Sequence, residues 1–280
     1  MKIGITNTSY AVEKDGVQTT DYALMKKHGL SYADFQGVTD YKCDLLNCPE
    51  EEMIATLKAE AKRAKENGIS FSQVHGVWPA PYDTEEEYKR TACYQKKAIV
   101  ATNALDCEYL VIHPLMHDYD HDDNPAKTFQ ENVRLFKELC EFAKPYGVTI
   151  CIENMPFRNL EISSVEGLMK IVDEVNCENF GICLDTGHSN VLSHDLGDDV
   201  RYCGSKLKCL HIHDNRFDDE HLWPYMGWAN WDSFRQGIKD IGYNGVFSLE
   251  CSANTKLPPD LLEYMRIGLI KITELIATTA

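Results

Sequence analysis

The chain has 280 residues, 44% of them hydrophobic and 26% charged, enough to bury a complete core within one domain. Its 44 acidic residues against 28 basic ones give a formal net charge of -16 at pH 7, a field that repels polyphosphate. No Lys/Arg run forms a phosphate-tracking face, so nucleic acid is disfavoured as a partner. No apolar stretch reaches membrane length and the first residues lack a leader pattern, so a cytoplasmic protein with no membrane partner is expected. The 11 cysteines contain no CxxC pair, and many lie in apolar runs, which marks them as reduced core residues.

In chain order, short apolar runs occupy residues 2–8, 32–38, 70–75, 109–113, 149–153, 180–185, 207–213 and 245–250. Longer amphipathic segments separate them. Residues 50–67 carry Met53, Ile54, Leu57, Ala61 and Ala64 at helical spacing, with Gly68 as a stop signal. Helices are likewise predicted over 85–105 and 125–144, the latter with Pro125 at its start and Pro145 and Gly147 after its end. A helix over 258–276 closes the series. Eight βα units without a linker predict one (β/α)8 TIM barrel spanning residues 1–280. The alternative, an open doubly wound sheet, lacks the glycine-rich fingerprint expected after its first strand.

The ends of the apolar runs are polar. His75 ends SFSQVH, His113 ends YLVIH, Glu153 ends VTICIE, Asp185 ends FGICLD, His211 sits in LKCLHIHDN and Glu250 ends GVFSLE. Burying an ionisable side chain costs several kcal/mol unless it is paired or bound. Any one of these residues alone reads as a hydrogen-bonded core group or a helix cap. Six of them, each about one βα unit from the next, read as a site at the barrel end where such folds build active centres.

Glu153, Asp185, His211 and Glu250 offer mixed oxygen and nitrogen ligands suited to a divalent metal ion: Mn2+, Mg2+, Co2+ or Zn2+. Such an ion would chelate neighbouring sugar oxygens and acidify the adjacent C–H. Glu153 and Glu250, from different strands, are the candidate catalytic pair, one removing a proton and the other returning it. The turn after Asp185 places His188 at the same mouth as a candidate substrate ligand, with His213 further out. Trp78, Pro79, Trp223, Tyr225 and Trp228 are candidates for an apolar wall or for plain packing.

These motifs, CIEN (Glu153), CLDTGH (Asp185, His188), LHIHD (His211) and SLE (Glu250), resemble the xylose-isomerase-like TIM-barrel superfamily over nearly the whole chain. The resemblance implies one divalent metal on Glu153, Asp185, His211 and Glu250, and both glutamates as acid/base groups. It implies isomerase or epimerase chemistry on a small carbohydrate, with His75 and His113 contacting substrate or packing nearby. Arg216 is the nearest candidate for the substrate-binding arginine of the seventh loop, which also holds His221, Pro224, Gly227, Trp231 and Asp232. Dimers are common in the superfamily, so a homodimer is the corresponding expectation.

An inosose-type dehydratase is the alternative enzyme, and a carbohydrate-binding barrel with a vestigial site is the non-enzymatic one. The superfamily's apurinic endonuclease branch holds three zinc ions, for which His75, His113, His188, Asp219 and His221 could supply the extra ligands. The acidic loop 116–123 and the absence of a phosphate cradle favour an unphosphorylated sugar or cyclitol substrate.

Overall fold

A computed structural model describes residues 2–14, 16–79, 82–253 and 256–278. Its strands are β1 (Ile3–Thr6), β2 (Ala11–Lys14), β3 (Val17–Thr20), β4 (Tyr32–Phe35), β5 (Ser70–His75), β6 (Tyr109–Ile112), β7 (Thr149–Glu153), β8 (Phe180–Asp185), β9 (Leu207–His211) and β10 (Phe247–Leu249). Its helices are α1 (Tyr22–Lys27), α2 (Asp44–Asn47), α3 (Glu50–Glu66), α4 (Glu85–Ala104), α5 (Pro125–Ala143), α6 (Val165–Val175), α7 (Thr186–Val191), α8 (Leu196–Cys203), α9 (Trp231–Ile241) and α10 (Pro259–Thr278).

Eight strands form one parallel sheet in the order β10-β1-β4-β5-β6-β7-β8-β9. A parallel bridge between Ile212 and Leu249 joins its edges, with Ile212 N donating to Ser248 O and Glu250 N to Ile212 O. The sheet is therefore a barrel, as the eight units predict. Strand composition explains its permanence: β7 and β8 read TICIE and FGICLD, almost wholly buried on both faces because helices cover the outside and side chains fill the inside. β2 and β3, an antiparallel hairpin outside the barrel, were not predicted; Lys14 pairs with Val17 across the sequence Asp-Gly.

The helices begin where the chain supplies caps. Thr84 and Glu87 form a reciprocal capping box on α4, and Asn124 caps α5 ahead of Pro125. α8 and α9 meet backbone to backbone: a Cβ on Gly237 would lie 2.7 Å from Gly197 O, and one on Gly197 only 2.3 Å from Ser233 O. Only glycines permit that approach.

Period-two alternation puts Val111, Cys151, Cys183 and Cys209 on the inner faces of their strands, two residues below His113, Glu153, Asp185 and His211. The four form a small apolar cluster separate from the large one between sheet and helices. The barrel interior is thus layered, with a thiol-rich floor beneath a layer of imidazoles and carboxylates. Among the described residues, no helix is long and apolar enough to cross a membrane.

Candidate active site

Six strand ends deliver their ionisable side chains to the same mouth. Glu153 (1% exposed) stands at the end of β7, and its Oε1 faces His211 Nδ1 at 2.7 Å. Its Oε2 lies 3.1 Å from His113 Nε2 and 3.6 Å from His75 Nε2. Glu250, directly after β10, brings Oε2 to 3.2 Å from the same His211 Nδ1. One ligand atom from each of Glu153, Asp185, His211 and Glu250 falls within 4.8 Å of the others. The four candidate metal ligands are therefore brought together.

Asp185 has two tasks. Its Oδ1 accepts from His188 N (2.7 Å), capping α7, while Oδ2 pairs with His213 Nε2 (2.9 Å). The cap turns the chain so that His188 comes back over the mouth. His188 Nδ1 donates to Asn154 O (2.7 Å), which leaves Nε2 toward Asp219 Oδ2 at 3.3 Å. The glycine of the TGH motif is required by packing, since a Cβ on Gly187 would sit 2.0 Å from His213 Cε1.

Asp219 Oδ2 is also 3.3 Å from His221 Nε2, and the His221 ring stacks on His213 with centroids 4.1 Å apart. His188, Asp219 and His221 form a second convergence beside the first. His75, His113 and Glu153 form a third, with ligand atoms within 4.8 Å. His75 and His113 also border an open cavity of about 480 Å³ with Gln36, Tyr41 and Trp78. Trp78 packs edge-on to His113 (4.5 Å) and continues through Tyr119 to Phe157 as a row of rings.

Arg216 is not brought to this cluster. Its guanidinium pairs with Glu220 (3.1 Å), and it lines a separate depression with Arg158, His194, Phe217 and Trp228. Trp228 and Tyr225 are exposed, and Trp223 donates to Ser252 O. The seventh loop is instead organised by buried Asp214, which accepts from Gly227 N, Ala229 N and Trp231 Nε1.

The charges are strongly coupled. Burial raises a carboxylate's pKa, yet the His211 and His113 imidazoles hold Glu153 well below the glutamate range. Glu250 is pushed the other way, by burial first and then, against the pull of His211, by the charges of Glu153 and Asp185. Burial opposes protonation of His188, but Asp185 and Asp219 lift it to about 10. His113 falls to about 4, because burial outweighs Glu153. Three carboxylates with imidazole partners form a donor set that fits a divalent cation.

Two residues of this centre were not singled out in the sequence. Asp34, on β4 and wholly buried, accepts from His211 Nε2 (3.0 Å) and Gln73 Nε2 (3.3 Å). Asn154 ties β7 to β8 through Asp185 N and O and Ser189 Oγ. The signal for Asp34 was an acid inside the apolar run YADF; that for Asn154 was its place beside Glu153 in CIEN.

A family profile described as "Xylose isomerase-like TIM barrel" matches residues 22–267. The chain belongs to this family. An inosose isomerase of Halalkalibacterium halodurans is 28% identical over 173 residues, 59% of this chain and 61% of that protein. A D-psicose 3-epimerase of Enterocloster bolteae is 28% identical over 194 residues, 67% of this chain and 63% of that protein. The matched stretch thus spans about three fifths of the length of these curated relatives. The crystal structure of the IolI protein with a bound zinc atom superposes with a TM-score of 0.77 at 21% identity, covering 99% of this chain and 98% of that one, and shares the fold.

Proposed function

We propose that this member of the family is a metal-dependent isomerase or epimerase of a small sugar or cyclitol, moving a proton through an enediolate with Glu153 and Glu250. The observation that carries the reading is the approach of these two glutamates, from non-adjacent strands, to one imidazole nitrogen at 2.7 and 3.2 Å. Relatives named as an inosose isomerase and a D-psicose 3-epimerase, and a structural neighbour that holds zinc, support it.

Glu153, Asp185, His211 and Glu250 would hold the ion, which supplies Lewis-acid polarisation of a substrate carbonyl when bound. The chain's own residues do the rest. Glu250 is 17% exposed by side chain and faces the mouth, while Glu153 lies deeper at 1%, so a substrate entering between them meets one carboxylate on each side. Each can hold the proton that the other face of the sugar loses or receives. His188, with Nδ1 committed to Asn154 O, would turn Nε2 to a sugar oxygen in exchange for its 3.3 Å contact with Asp219 Oδ2. Trp78, beside His113, excludes water from one wall.

The test is incubation with ketoses, aldoses and inososes in deuterium oxide, followed by NMR beside a metal-stripped control. Metal-dependent C–H exchange without loss of mass is expected. Loss of water from the product would instead identify a dehydratase. Glu153→Gln and Glu250→Gln should each slow turnover by about 10²- to 10⁴-fold; wild-type rates in both would sink the reading.

A second reading rests on the two flanking convergences, His75/His113/Glu153 and His188/Asp219/His221, which could hold further ions and support phosphodiester hydrolysis. It predicts about three zinc ions per chain and nicking of abasic DNA. The net charge of -16 opposes a DNA partner.

A further inference from the structure

Asp34 is a buried carboxylate in the barrel interior, on β4, two strands from the β10 end that bears Glu250 and three from β7, which bears Glu153. The register between β4 and β5 shifts between Ala33 and Asp34, so that Ala33 faces Phe71 but Asp34 faces Gln73. A bulge of this kind re-aims the residue that follows it. Asp34 Oδ2 then receives His211 Nε2 at 3.0 Å and Gln73 Nε2 at 3.3 Å, and Oδ1 has no hydrogen-bond partner among the described residues. Gln73 uses its second hydrogen on Leu210 O (3.3 Å), the carbonyl just before His211. The ring of His75 lies parallel to that of His211, 5.7 Å away, on one of its faces.

A carboxylate oxygen only accepts, so the hydrogen in the Asp34–His211 contact sits on Nε2. Whenever the imidazole is neutral, its lone pair is then on Nδ1. That nitrogen faces two further acceptors, Glu153 Oε1 and Glu250 Oε2. Three acceptors in mutual contact need a cation among them, a proton on Nδ1 while no ion is bound and a metal ion in its place when one binds. We infer that Asp34 is a positioning residue: with Gln73 it fixes the tautomer and orientation of His211, so that Nδ1 is the atom given to the metal ion. The inference rests on the metal-binding part of the proposed function and names a residue and an atom which that proposal does not need.

The experiment uses zinc as the probe. Its dissociation constant is measured by chelator competition for the wild type, Asp34→Asn, His211→Ala and the double variant. Long-range 1H–15N spectra of the zinc-loaded wild type, labelled in histidine, read the His211 tautomer. Weakening by about 10- to 100-fold in Asp34→Asn is expected, with little further loss when the change is made in His211→Ala. A His211 spectrum with hydrogen on Nε2 and metal on Nδ1 is expected as well.

Asp34→Asn that melts lower but binds zinc as the wild type does would overturn the inference, since a purely structural role predicts that result. A spectrum with Nε2 metallated would overturn it without any variant, even if Asp34→Asn fails to fold. A wild type that binds no zinc removes the proposed function and the inference together; a wild type that binds it while Asp34→Asn loses nothing removes the inference alone.

Discussion

Two layers of side chains fill the barrel on the same strands, and they differ in chemistry but not in burial. Cys151, Cys183 and Cys209 are at most 2% exposed, and so are Glu153, Asp185 and His211 two residues further along. In the lower layer, burial raises the Cys183 and Cys209 thiols well above their ordinary value, so they remain neutral and behave as apolar groups. In the upper layer each charged group has a partner of opposite sign within hydrogen-bonding reach. Charge is tolerated where it is compensated, and depth alone does not forbid it.

The sharpest way to break this contrast is to move charge down one layer. Cys183→Asp should destabilise the fold by several kcal/mol, because its carboxylate would be desolvated beside Glu153. Cys183→Ala should cost only about 1 kcal/mol. Thermal melting of both checks this, and equal melting temperatures would refute the contrast.

If the proposed ion binds there, its removal acts on the upper layer alone. Chelation followed by melting should lower stability by about 2.7 kcal/mol relative to protein held in ion at 100 times its dissociation constant. Gly187→Ala sharpens the same point by steric means, since the added methyl must displace His213 from Asp185. A loss of about 1–3 kcal/mol is expected, measured by denaturant unfolding.

The smallest effect lies outside both layers, at His28, whose Nδ1 meets Tyr10 Oη at 2.9 Å. Burial lowers its pKa against the pull of Glu263. The unfolded chain therefore takes up the proton first as pH falls through about 6.5, and the stability held above that pH is lost below it. Between pH 7.5 and 5.5 the wild type should lose more melting temperature than His28→Asn.

The upper layer was legible in the sequence because its members lie at or near the ends of apolar runs, and eight such runs in phase left little choice of architecture. Strand positions agree closely, as with residues 70–75 and β5, or 180–185 and β8. What escaped the sequence has physical causes. The β2–β3 hairpin buries little apolar surface, so it has no hydrophobic period to read. Asp34 lies in mid-run, and only a register shift turns it toward His211. Arg216 was chosen for its place in the loop, but Glu220, four residues on, takes its guanidinium.

The backbone contact between Gly197 on α8 and Gly237 on α9 has a dynamic consequence. Where these helices touch through main-chain atoms, and Arg201 on α8 pairs with Asp240 on α9 at 2.8 Å, sliding and rotation are hindered and the two travel as one piece. The segment after β8 that bears His188 and the segment before α9 that bears Asp219 and His221 are anchored to that piece. Widening of the mouth to admit a ligand is therefore left to the opposite rim, where Trp78, Tyr119 and Phe157 meet only through rings that can swing about their own side-chain bonds.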